Sequence, residues 1–269
     1  MVRTKAGSVR RCVCPNLHAV PRDHLHAVPR DHRRWIATLA EAVPEGPQGQ
    51  PAHAAGAEMV VVHDVFLDEV GLVSMSVPKP SAMFLDLAET HASRALRLRP
   101  KLASQIRPIK YGQPDSSNRR FSNEQLVFDF LQEAMAAVLL TYTALDNAAN
   151  EAMPGDFSMA DAAGNTVDRA QIEGHWGIVK RLSLVLPATT GKPSIELARP
   201  NIWSTLETLK RLRDDLGHVH YDQSYTAPGQ DSREGLFSRL FAADLRGLIG
   251  AVQETIEHYS PQLLLGGAQ

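Results

Sequence analysis

From Ser122 to Met153 the chain contains neither proline nor glycine. Within that stretch Leu126, Phe130, Ala134, Ala137, Thr141, Ala144, Leu145 and Ala148 recur at three- and four-residue spacing. That period places them on one side of a helix. At 1.5 Å per residue, some 30 residues make a rod about 45 Å long. A rod with one apolar stripe cannot bury that stripe by itself, so the chain must supply other helices of comparable length. Ser122 and Gln125 form an S-x-x-Q capping box at its start, with Phe121 placed as a staple, and Pro154-Gly155 ends it.

The remaining sequence supplies those partners. A second helix is predicted from about Val167 to Leu186, carrying Ile172, Trp176, Val179, Leu182, Leu184 and Leu186, with Pro187 and Gly191 as its stop. A third starts near Asn201 and runs through Ile202, Leu206, Leu209, Leu212, Leu216 and Val219. A fourth covers about Arg233 to Tyr259, with Leu236, Leu240, Leu245, Leu248, Ile249, Val252 and Ile256 as its stripe. Four such helices pack economically as an antiparallel four-helix bundle, so the expected class is mainly α. Ahead of it, Met59–Val77 reads as a short β-hairpin: a Val60-Val61-Val62 run, turn material at Asp68, Glu69 and Gly71, then Val73, Met75 and Val77 alternating with serines. Pro78 and Pro80 close the hairpin. A helix capped by Ser81 follows to about Leu98, with Pro100 as its stop.

The N-terminal region differs in kind. Residues 17–32 are one octapeptide, LHAVPRDH, written twice, with Cys12 and Cys14 upstream and His18, His24, His26 and His32 inside. Two to four residues usually separate paired zinc ligands, and a small fold holds them. Here histidines recur around Pro21 and Pro29 with little apolar scaffold, so no metal site is expected. Two short copies also fall below the unit size and number that repeat architectures need. Residues 1–34 carry eight basic side chains against two acids, so +6, leaving −8 for the remainder of a chain with net charge −2. The expected organisation is a disordered basic arm and linker over residues 1–58, a hairpin and helix lead-in over 59–120, and a helical bundle over 121–260. Two cysteines make no disulfide framework. No apolar run reaches the length of a bilayer-spanning segment, and no secretory signal is recognisable. The expected setting is cytoplasmic, with no membrane partner.

The third helix ends in LKRLRDDLGHVHYD, Leu209 to Asp222, which gathers Arg, Asp, His and Tyr into a few turns. On a helical wheel Arg213 and His220 fall inside the stripe of Ile202, Leu206, Leu209 and Leu216. Asp214 and His218 stand four apart on the other flank, with Tyr221 beyond. A guanidinium on an apolar stripe must be paired, stand at a mouth, or carry a desolvation cost of several kcal/mol. The plainer account is surface chemistry: i,i+4 pairs Lys210–Asp214 and Arg211–Asp215 worth tenths of a kcal/mol, and a snorkelling Arg213.

Arg213 to His218, R-D-D-L-G-H at the end of the third helix of a four-helix body, resembles the HEPN superfamily. That family's pattern is an Arg, usually followed by a polar residue, then a His after four to six others. His218 satisfies it after four and His220 after six, so the acting histidine stays open. TALDNAANEAMPGDF and IVKRLSLVLPATTGKPS are also similar to HEPN sequences; the likeness covers roughly residues 121–259. It implies a metal-independent, cofactor-free endoribonuclease of toxin–antitoxin, defence or RNA-processing type. RNA is then the partner, with an antitoxin or other protein partner beside it. A homodimer brings two motifs to one cleft, and the RNA's 2′-OH attacks to leave a cyclic phosphate. By that resemblance Arg213 neutralises the scissile phosphate, His218 is general acid or base, and Asp214 orients, with His220 and Tyr221 as secondary candidates. Arg213 and His218 lie about 140° apart on an ideal helix, so the helix must loosen at Gly217 or a second protomer must contribute.

The alternative from a different class is a non-catalytic HEPN-like helical module that binds RNA, nucleotide or a protein. The acidic body favours it, because a nuclease cleft attracts phosphate. The sequence contains no Gly-rich phosphate loop, no H-E-x-x-H and no G-x-S-x-G. His175-Trp176 reads as surface and core rather than as a site.

Overall fold

A computed structural model describes residues 2–3, 9–10, 17–21, 36–39, 58–67, 71–76, 78–108, 119–217 and 236–260. These residues are mainly helical. The chain falls into two compact units: one of Met1–Met83, Asn147–Ser194 and Ile256–Gln269, the other of Phe84–Asp146 and Ile195–Thr255.

In the first unit the hairpin is present. Strand β5, Glu58–Leu67, pairs antiparallel with β6, Gly71–Ser76, in a register that sets Val62 opposite Ser76 and Leu67 opposite Gly71. Gly71 has φ of +90°, a left-handed value that suits glycine as the chain re-enters the sheet. The sequence places residues 1–58 in a disordered arm, whereas its described parts are strands: β1, Val2–Arg3; β2, Val9–Arg10; β3, Leu17–Pro21; and β4, Ile36–Leu39. Both β3 and β4 pair antiparallel with β5. The physical reason is edge pairing: a β-branched run such as Val60–Val62 offers backbone groups to any extended neighbour. Cys12, Cys14, His24, His26 and His32 lie outside the described residues.

Helix α1, Pro80–Ala103, overruns its expected stop. Pro100 sits inside its last turns, where it forfeits one backbone bond to Leu96. The continuation buries Leu102, which compensates. Beyond it, β7, Ile106–Pro108, pairs with β8, Arg119–Phe121. Helix α2, Glu124–Glu151, follows the long apolar stripe. Its cap is Asn123 rather than Ser122: Asn123 Oδ1 accepts from the Leu126 N–H at 3.1 Å. Ser122 instead donates its hydroxyl to the Gln105 backbone and side chain, while Gln125 reaches forward to Asp129, so no capping box forms. By length and composition alone α2 could cross a bilayer. It places Phe130, Ala134, Ala137, Val138, Leu145 and Ala148 in the protein core.

The expected second helix is a more broken path. A hairpin, β9 (Ser158–Ala160) with β10 (Thr166–Asp168), precedes α3, Arg169–His175. Asp168 and Gln171 close a true capping box there. After Trp176-Gly177 the chain restarts as α4, Ile178–Lys180, widens into a π turn over Arg181–Val185, and continues as α5, Leu186–Thr190. Pro187 therefore lies within helix instead of ending it. Its ring would crowd the Ser183 carbonyl in a regular helix, and the wide turn spans that carbonyl. Gly191 makes the stop, in the left-handed conformation at φ of +71°. Met153, Ile172 and Val185 form the local core, with Phe157, Met159, Val167 and Trp176 packed on it.

In the second unit α6, Ile195–Ala198, leads into α7, Pro200–Gly217. The expected fourth helix is two: α8, Leu236–Ala242, and α9, Leu245–Tyr259. The break is made by Asp244, whose Oδ1 accepts from the Gly247 N–H at 3.0 Å and so opens a new helix. Arg99 of α1 donates to the Ala243 carbonyl at 2.7 Å, satisfying a group that the break exposes. Pairwise ties link these helices. His91 of α1 meets Glu133 of α2 at 2.6 Å, and Phe130 of α2 stacks on Phe241 of α8 at 4.7 Å between ring centres. Gln253 of α9 donates to Glu89 of α1 at 2.8 Å, and Arg239 of α8 meets Asp215 of α7 at 2.6 Å.

Candidate functional site

Helix α7 carries the basic and acidic cluster. Leu206, Leu209 and Leu212 form its buried face, whereas Ile202 and Leu216 are only partly covered. Arg213 is at the edge of that face. Its side chain keeps 43% of its surface exposed, so it stands at a mouth and not in the interior. Two contacts hold it. The guanidinium carbon lies 4.6 Å from the centre of the Tyr142 ring on α2, and Nη1 donates to Asp214 Oδ1 at 3.0 Å. A cation over an aromatic face is worth about 0.5–1 kcal/mol at an exposed site.

Asp214 also accepts from Lys210 one turn back, the expected i,i+4 pair. Burial pushes its carboxyl up, but the hydrogen bonds from Lys210 and Arg213 outweigh that and hold it below the ordinary aspartate range. Asp214 is thus an anion fixed between two cations. The second expected pair does not form. Asp215 turns to Arg239 of α8, and Arg211 makes only a 3.3 Å hydrogen bond to the Thr208 hydroxyl.

Of the residues singled out in the sequence, Arg213 and Asp214 are brought together on α7, whose described residues run to Gly217. His218, His220 and Tyr221 lie outside the described residues. Tyr142 is the residue that sequence reasoning misses. The residue is 8% exposed, and burial pushes its pKa up, with the Arg213 charge pulling the other way. Its signal is faint: it shares the α2 stripe with Val138 and Leu145, and nothing local distinguishes a ring that carries a cation from one that fills the core.

His175 is exposed and Trp176 packs on the core with Lys180 Nζ 3.3 Å from its ring centre, an ordinary helix-end arrangement. Among the described residues no three His, Cys, Asp or Glu side chains converge as a metal-binding group would. Comparison with family models, with curated proteins and with solved structures finds no match to this chain.

Proposed function

We propose that the helices α1, α2, α7 and α8–α9 form an antiparallel four-helix bundle of HEPN type, and that the end of α7 is the active site of a metal-independent endoribonuclease. One observation carries this reading: a part-exposed arginine, Arg213, is stacked on Tyr142 and steered by Asp214 one turn before Gly217, with His218 and His220 next in the sequence. A guanidinium held this way offers its remaining donors to a phosphate without having to be ordered first. His218, or His220 in its place, takes the proton from the 2′-OH, the 2′ oxygen attacks phosphorus as the bond to the 5′ oxygen breaks, and the protonated imidazole returns the proton to that leaving oxygen. The products are a 2′,3′-cyclic phosphate end and a 5′-hydroxyl end. A homodimer presenting two such motifs to one cleft, and an antitoxin-like protein partner, belong to the same proposal, as does a cytoplasmic setting.

A binding module without catalysis is the second reading, and the Arg213–Asp214 pair favours it, since that carboxylate already occupies one guanidinium donor. Incubating the full chain with total RNA in chelator separates the two. Cleavage with cyclic-phosphate ends is expected, falling roughly 100- to 1,000-fold in Arg213→Ala or His218→Ala and at least about tenfold in Arg213→Lys. Binding of RNA with no cleavage leaves the module; undiminished cleavage in Arg213→Ala and His218→Ala removes the site.

A further inference from the structure

The face of α7 turned away from Tyr142 borders a cavity of about 450 Å³ in the second unit, shared with α8 and the start of α9. Its size is that of a small-molecule site. Its lining is divided chemically. Arg211 and Arg239 bring two guanidinium groups. Arg211 spends one donor on a long contact to Thr208, and Arg239 is paired through Nη1 with Asp215 at 2.6 Å while its Nε is buried without a hydrogen-bond partner among the described residues. Opposite in character are Thr205, Thr208 and Asp244. The two threonine hydroxyls donate to the Asn201 and Ser204 carbonyls, which leaves the Thr205 oxygen as an acceptor, while the Thr208 oxygen already accepts from Arg211. Asp244 uses Oδ1 to cap α9 and has a second oxygen beside it. Leu212 supplies an apolar wall.

We infer that this cavity binds a small phosphate monoester whose body carries hydroxyl groups, the chemistry of a sugar phosphate. Arg211, with the donors that Arg239 keeps beyond its pair to Asp215, suits the phosphate, because arginine's fork matches phosphate oxygens in two-point contacts. The acceptor set suits hydroxyl donors spread over the body, whereas inorganic phosphate carries its P–OH groups only on the anion itself and a plain carboxylate offers none. The volume exceeds what a bare anion fills. The inference is independent of the nuclease reading, since neither Arg213 nor a histidine lines the cavity.

Calorimetric titration of the full chain with ribose 5-phosphate and with glucose 6-phosphate tests it. At least one is expected to bind saturably, with free ribose silent and inorganic phosphate at least about tenfold weaker. Arg211→Gln, at an exposed position, is expected to keep its circular dichroism and lose at least about tenfold in affinity. Amide shifts on titration fall on Ser204–Leu212 and Ala242–Leu248. No saturable binding of either sugar phosphate, equal binding of inorganic phosphate, or undiminished affinity in Arg211→Gln overturns the inference.

Discussion

The Arg213 guanidinium rests over the Tyr142 ring, 4.6 Å from its centre, joining the basic end of α7 to the middle of α2. The ring, not the phenolic oxygen, makes this contact, so the two substitutions that remove one or the other should part company. Tyr142→Phe keeps the face and is expected to retain both stability and any RNA cleavage. Tyr142→Leu removes the cation–π contact and is expected to lose about 1 kcal/mol or more, with the packing loss added. Urea unfolding of the two variants checks this; equal loss in both would place the interaction at the hydroxyl.

A second long-range tie crosses 70 residues. Ser81 donates its backbone N–H to Glu151 Oε1 at 3.0 Å and its hydroxyl to Oε2 at 2.6 Å. Burial pushes the Glu151 carboxyl above its ordinary range, against the pull of Ser81 and of the Lys79 charge. Its folded value is the higher one, so its share of stability is complete below the ordinary value of 4.5 and is lost as pH rises through the raised value. Burial lowers the Lys79 pKa, so that group's share is lost as pH falls through its depressed value. Near neutrality both charged forms carry a burial cost. Ser81→Ala is expected to cost about 1–3 kcal/mol. It also moves the Glu151 pKa further up, extending the decline in stability to higher pH. Urea midpoints measured from about pH 4 to 8 report both effects; a pH profile parallel to wild type would show that Ser81 does not set this carboxyl.

The cap of α2 gives a third outcome. Asn123→Ala removes the acceptor for the Leu126 N–H and should cost about 1 kcal/mol. Ser122→Ala leaves that acceptor in place and loses only its exposed bonds to Gln105, so it should cost less. Denaturant unfolding that ranks them the other way would return the capping role to Ser122.

The local signals in this chain were informative over a few turns and no further. The Leu206–Leu209–Leu212 face of α7 follows from three- and four-residue spacing. The break at Asp244 was readable as a cap residue but lay inside an apolar period that ran on without interruption from Leu240 to Leu245. Pro100 and Pro187 act as stops only when nothing beyond them is worth burying; Leu102 in one case and the π turn in the other made continuation favourable.

The sequence by itself determined that this protein is mainly helical, that long helices run where α2 and α7 do, and that an arginine falls on an apolar stripe. Those properties depend on residues within about four positions of one another, which the helical period brings together whatever the remainder of the chain does. Only the tertiary structure decided that Tyr142 carries Arg213, that Asp215 chooses Arg239 over Arg211, and that Glu151 closes on Ser81. Each of those partners comes from a different helix, and which of several suitable charges or rings arrives is settled by how the apolar faces pack, not by any spacing along the chain.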